Sequence, residues 1–164
     1  MTTVDSTDGT TIAYDRSGDG PPLIIVDGAL TTRWSGSKPR LAERLATTFS
    51  VYVYDRRGRG DSGDTLPYEV EREIDDLAAV IAVAGAPVLL YGHSSGACLA
   101  LEAAARLGDK VAGLALYDAP YNDDPAAQPR WQEYLAALAD ALADGIVLAS
   151  VCAVSAMNGG LDSP

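Results

Sequence analysis

Along the first 117 positions, apolar residues fall in short unbroken runs bounded by glycine, proline and aspartate: Leu23 to Val26, Val51 to Tyr54, Val88 to Tyr91 and Val111 to Tyr117. Such runs, without polar alternation, predict strands covered on both faces. Between them the period changes. Val70, Ile74, Leu77, Ile81 and Ala84 recur at spacings of four and three, which predicts a helix with one apolar stripe, ended by Gly85. Glu69, Glu71 and Glu73 crowd its first turns, where they favour the positive end of the dipole and read as a solvated face. A-C-L-A-L-E-A-A-A-R-L predicts a second helix, closed by Gly108-Asp109, and Pro39 opens a shorter one through Leu41, Arg44 and Leu45. At the start, Thr3 to Ser6 and Thr11 to Arg16 flank Asp8-Gly9, a turn that joins antiparallel strands. The alternation of strand and helix predicts an α/β protein: a mostly parallel sheet with flanking helices.

Candidate chemistry lies where the fifth strand meets its helix. V-L-L-Y leads into G-H-S-S-G and then into the alanine-rich helix, so a Gly-x-Ser-x-Gly turn stands between the two elements. A sharp strand-to-helix turn of this kind lifts one hydroxyl out of the carboxyl edge of a sheet. Gly92 and Gly96 allow the strand and the helix to approach closely, and they allow a strained backbone at Ser94. Ser94 is the candidate nucleophile. The Ser95 amide opens the helix and points where an oxyanion would form. His93 is expected to be structural, because adjacent residues in such a turn point in different directions.

Composition narrows the function by exclusion. With 48% hydrophobic residues in 164, the chain can bury a core and is not disordered. A net charge of −11 argues against nucleic-acid partners, and arginines gather only at Arg56, Arg57 and Arg59. Cys98 and Cys152, without a secretory signal, imply free thiols in a reducing compartment. The longest apolar stretch, Ile146 to Met157, is too short to span a bilayer. A cytoplasmic protein without membrane contact is expected.

The loop D-R-R-G-R-G-D-S-G-D after the fourth strand matches a dinucleotide fingerprint literally, at Gly58, Gly60 and Gly63. That fingerprint requires the glycines to open a helix at once and an acidic residue about 20 positions further on, and neither condition holds. No cofactor is implied. Asp123-Asp124 lacks a spaced third ligand, so no metal site is implied either.

Three segments together resemble the α/β-hydrolase fold through about Asp144: V-D-G-A after the third strand, D-R-R-G-R-G-D-S after the fourth, and Y-G-H-S-S-G after the fifth. The resemblance implies a serine hydrolase acting on ester-like bonds, with Ser94 as nucleophile and the amides of Ser95 and Ala29 as oxyanion donors. The family usually carries His-Gly where this chain has Asp27-Gly28, and an anion there opposes oxyanion formation unless it points away. In the family a carboxylate and a histidine downstream of the serine complete the triad. This chain has one histidine, His93, and it precedes Ser94. Asp118, after the sixth strand, could stand in for the acid, but no histidine is there for it to orient.

On this resemblance, residues 1–127 form the N-terminal part of the hydrolase core, 128–145 begin a cap helix, and 146–164 are an atypical apolar tail. The last strands and helices of the fold are expected to be missing. Trp131, Tyr134, Leu135, Leu138 and Leu142 share one helix face, for packing or for lining a ligand cavity. The strand Val111 to Tyr117 becomes an open edge, and the expectation is that the chain self-associates through it or that the tail covers it. Two alternatives to a weakly active or inactive hydrolase stand beside it: a non-catalytic remnant binding a small ligand or partner chain, and one half of a split enzyme.

Overall fold

In the computed structural model, the expected hairpin is formed by β1 (Thr2–Asp5) and β2 (Thr11–Ser17), paired antiparallel across the turn at Asp8-Gly9. The structure describes residues 1–121 apart from positions 37 and 86, then Pro125, Gln128, Pro129, Trp131 to Glu133 and Ala136. Met1–Pro120 is one unit. After the hairpin come β3 (Pro22–Val26), α1 (Lys38–Leu45), β4 (Ser50–Tyr54), α2 (Val70–Ala84), β5 (Val88–His93), α3 (Ser95–Leu107), a 3-10 turn (Gly108–Lys110) and β6 (Val111–Tyr117).

The sheet runs β1-β2-β4-β3-β5-β6, antiparallel as far as β4 and parallel from β4 to β6. Strand order reverses at β3, which has β4 on one side and β5 on the other. The connections after β3 and β5 therefore leave the sheet in opposite directions and open a crevice at their carboxyl ends. Val26 lies opposite Gly92 in the register, so Asp27 and His93 emerge side by side.

Alternate residues of the buried strands serve opposite faces, as the period of two requires. Ile24, Val26, Tyr52 and Tyr54 pack with Ile74, Leu77 and Ile81 of α2 and Leu99, Ala100 and Ala103 of α3. Leu23, Ile25, Val51 and Val53 pack under Leu41 and Leu45 of α1. Each fully buried Val, Leu or Ile among them contributes roughly 1.5–3 kcal/mol.

Two expectations for α2 need correction. Val70 does not join the apolar stripe, being 44% exposed at the helix start. Glu73 is not on a solvated face: it is 2% exposed and paired with Arg56, while Glu69 and Glu71 do face water. Gly85 ends α2 as expected, with φ 81 and its N–H on the Ile81 carbonyl.

β6 forms the last strand of the sheet among the described residues, with Leu114, Leu116 and Tyr117 exposed. No described helix is long and apolar enough to cross a membrane. The boundaries at 127/128 and 145/146, most of the Trp131 to Leu142 stripe, Asp123-Asp124, Cys152 and the tail 146–164 lie outside the described residues. Cys98 is a free, partly buried thiol on α3.

Candidate active site

The turn between β5 and α3 is built by contacts that leave no room for side chains. A Cβ on Gly92 would lie 2.5 Å from Ala97 Cα, and one on Gly96 would run into the carbonyl oxygens of Val26 and Asp27. The first contact presses α3 onto its own strand; the second presses it onto the end of β3. Between them Ser94 takes φ 54, ψ −128, in a region non-glycine residues rarely occupy. Its N–H donates to the Tyr117 carbonyl at 2.9 Å, and its own carbonyl accepts the Ala97 N–H at 2.8 Å. The serine is thus fixed by β6 on one side and by the first turn of α3 on the other.

The loop after β3 arrives beside it. A Cβ on Gly28 would lie 3.2 Å from Ser94 Cβ and 3.3 Å from the His93 carbonyl, so the Asp27 to Leu30 segment passes directly against the serine. Leu30 also has positive φ, at 59, and is exposed. Asp27 does not sit there as a free anion. It is buried, Lys38 at the start of α1 forms an ion pair with it, and its Oδ1 accepts the Gly28 N–H at 2.8 Å. Lys38 also donates to the Thr32 carbonyl at 2.8 Å, tying α1 to the same loop.

His93 points away from the core, half-exposed, with its ring stacked on Tyr117 at 5.7 Å between centroids and Nδ1 3.7 Å from Asp27 Oδ1. Asp27, Lys38, His93, Tyr91 and Tyr117 line a cleft of about 220 Å³. Burial pushes the Tyr91 hydroxyl up from its ordinary value. Asp118 lies just past β6 with φ 54, exposed.

Beneath this surface is a layer of buried charge that the hydrophobic pattern did not announce. Arg56 is 6% exposed and is held by both Glu73 oxygens, at 2.5 and 2.6 Å. Burial alone would raise the Glu73 carboxyl, but the Arg56 hydrogen bonds outweigh it and hold the group below its usual value. The remaining Arg56 nitrogen, Nη1, donates to the Asp27 carbonyl and to Ser95 Oγ, each at 3.1 Å. Arg57 pairs with both oxygens of buried Asp76 at 2.7 and 2.8 Å, and with Asp8 at 3.0 Å. Arg33 joins the same layer through Asp55, Asp15 and Asp61. The D-R-R-G-R-G loop is therefore a hub of ion pairs. It is closed by the Gly58 N–H on the Gly63 carbonyl at 2.9 Å and by Ser62 Oγ on the Asp55 carbonyl at 2.7 Å.

The structure places Ser94 and Ser95 at the elbow, with the loop that carries Ala29 passing against Ser94. The pairings of Arg56 with Glu73 and of Lys38 with Asp27 were not foreseen. One signal was available: Glu73 precedes Leu77 by four positions and so falls on the apolar stripe, where a carboxylate requires a buried cation.

A serine held at positive φ between a strand and a helix, at the switch point of a mostly parallel sheet, defines an α/β protein with a strand–serine–helix elbow. The chain belongs to the alpha/beta hydrolase family, whose model matches residues 28–159. It is similar over 99% of its length to an alpha/beta hydrolase from Sphaerobacter thermophilus, with 51% identity and a TM-score of 0.84, and covers 62% of that chain. It is 38% identical over 106 residues to N-formylmaleamate deformylase of Pseudomonas putida, a match covering 63% of this chain and 39% of the relative. It is 35% identical over 102 residues to the pimeloyl-[acyl-carrier protein] methyl ester esterase of Chromobacterium violaceum, covering 60% of this chain and 37% of the relative. The chain thus spans less than half the length of these two curated relatives.

Proposed function

We propose that this chain carries the nucleophile and oxyanion half of a serine hydrolase acting on ester-like carbonyls. The observation that carries the reading is the backbone of Ser94, φ 54 and ψ −128, held between two glycine contacts at the crevice edge. Strain of this kind, costing about 1–3 kcal/mol, persists where the surroundings over-determine it, and here it presents one hydroxyl. The deformylase and the methyl ester esterase among the relatives support acyl chemistry as the reaction class.

Ser94 Oγ, giving its proton to a base supplied from outside these residues, attacks the carbonyl carbon. The tetrahedral oxygen is held by the N–H groups of Ser95 and Ala29 until the bond to the leaving alcohol breaks, and water then releases the acyl group. Lys38 neutralises Asp27, so the departure from the family's His-Gly leaves no free anion beside that oxygen. The one histidine, His93, is stacked on Tyr117 and is not assigned the role of base. A serine site without its base loses on the order of 10⁶ in kcat, while oxyanion donors and binding retain about 10³–10⁴ over water. Turnover by these 164 residues alone is therefore expected to be weak.

The test is covalent labelling by a fluorophosphonate, followed by intact mass, with imidazole supplied in solution as the base. Single labelling that accelerates with imidazole and vanishes in Ser94→Ala is expected. Labelling that survives Ser94→Ala, or none at any imidazole concentration, would overturn the reading.

A further inference from the structure

The arginines of the D-R-R-G-R-G loop reach the loop after β3 at two successive peptide units. Arg56 Nη1 donates to the Asp27 carbonyl and, from the same nitrogen, to Ser95 Oγ on the first residue of α3. Arg59 Nη1 donates to the Gly28 carbonyl at 3.4 Å, and Thr31 Oγ1 donates to that same oxygen at 3.0 Å. In a planar trans peptide the N–H points opposite to the C=O. Holding the Gly28 carbonyl therefore sets the direction of the Ala29 N–H, which belongs to the same peptide unit. The shared Arg56 nitrogen likewise sets the gap between that loop and the helix that carries the Ser95 N–H.

Packing does not call for two guanidiniums here. Arg59 is held below its ordinary pKa by burial and then by the charge of Arg56, so its place beside Arg56 opposes its own ionisation. The Gly28 carbonyl belongs to a buried residue and needs a partner, but Thr31 already supplies one, so hydrogen-bond satisfaction alone does not require Arg59. The arrangement gives instead a fixed backbone where an N–H donor has to be aimed before the substrate arrives.

We propose that Thr31 and Arg59, together with Arg56, are positioning residues of the oxyanion site: they hold two successive carbonyls of the Asp27 to Ala29 loop so that the Ala29 N–H keeps one direction at a fixed distance from α3. None of the three touches the reacting carbonyl. The proposal rests on the assignment of Ser94, Ser95 and Ala29 made above, and its test separates the two.

The 164-residue chain is compared with Thr31→Val, Arg59→Met and Arg59→Lys by two measurements. The first is the backbone 15N order parameter of Ala29; the second is the imidazole-supported rate of fluorophosphonate labelling at Ser94. Thr31→Val and Arg59→Met should each lower the Ala29 order parameter from about 0.85 toward about 0.6. They should also slow labelling about tenfold, with the half-saturating probe concentration unchanged, a small part of what losing an oxyanion donor outright costs. Arg59→Lys, which keeps a cationic donor, should restore most of both. An unchanged Ala29 order parameter in both variants overturns the proposal. Unchanged labelling rates in the variants of a chain that does label overturn it too, and leave the hydrolase reading standing. A parent chain that never labels, with Ala29 loosened in the variants, overturns the hydrolase reading and the oxyanion role with it, leaving only the finding that Thr31 and Arg59 hold the Ala29 peptide.

Discussion

The two backbone segments that meet at Ser94 are held in place by different physics. The turn from β5 into α3 is fixed by local sterics: Gly92 and Gly96 let backbone touch backbone, and Ser94 takes positive φ because both flanking elements are already seated. The loop after β3 touches that turn at Gly28 and at the Asp27 carbonyl, and is held further by side chains. Its carbonyls are gripped by side chains from far along the chain, Arg56 and Arg59, and its acid is gripped by Lys38. A sharp turn can be written in five consecutive residues. A loop aimed by buried cations needs a second loop and a helix that supply and anchor those cations, here α2 through Glu73.

This contrast can be broken most severely at its anchor. Glu73→Leu leaves Arg56 buried without its carboxylate, and removing one partner of a buried pair costs about 3–5 kcal/mol. The double variant Glu73→Leu with Arg56→Met should recover most of that stability in urea denaturation, while the 27–29 loop stays loosened. A double variant no more stable than the single one would mean that the ion pair is not what holds α2 to the loop.

On the other side of the comparison, Gly96→Ala drives a Cβ into two backbone carbonyls that cannot rotate away, with an expected cost of about 3 kcal/mol. Urea denaturation again measures it. A cost well under 1 kcal/mol would show that α3 can lift off β3, and that the elbow is less rigid than the glycine contacts imply.

Acid should act on the loop and spare the elbow. The folded-state pKa of Glu73 is depressed, so its stabilising contribution is present above the ordinary value of 4.5 and is lost as pH falls through the depressed one. The difference in melting temperature between the parent chain and Glu73→Gln should therefore be largest above about pH 5 and narrow steadily below pH 4. A difference that grows on acidification would contradict the sign.

The smallest effect is a gain. Ser94→Gly relieves the positive φ and should stabilise the chain by about 1 kcal/mol, after allowing for the greater freedom of glycine in the unfolded state. Ser94→Ala removes the same hydroxyl without relieving the backbone and should show no such gain. Equal stability for the two variants would mean that little strain is stored at the turn.

Much of the architecture was legible because its signals are local. Continuous apolar runs marked β3 to β6, Gly85 and Gly108 marked the helix ends, and the pentapeptide around Ser94 marked the elbow. The reading of α2 failed at Glu73 and Val70, and for one reason. Helical periodicity says which positions share a face, but the first-turn Val70 is left exposed, and a carboxylate on the inner face is admitted only if a cation waits there. The cation is Arg56, 17 positions earlier on another loop.

The sequence by itself determined the α/β class, the order of the elements and the serine at the turn, because these follow from periods and from sterics within a few residues. The tertiary structure alone decided that Asp27 is neutralised by Lys38, that the arginine-rich loop is a hub of ion pairs, and that this hub reaches the backbone beside Ser94. Those pairings join residues 11 to 49 positions apart. Such partners are chosen by where the strands bring their ends together, and the strand order that does so reverses at β3.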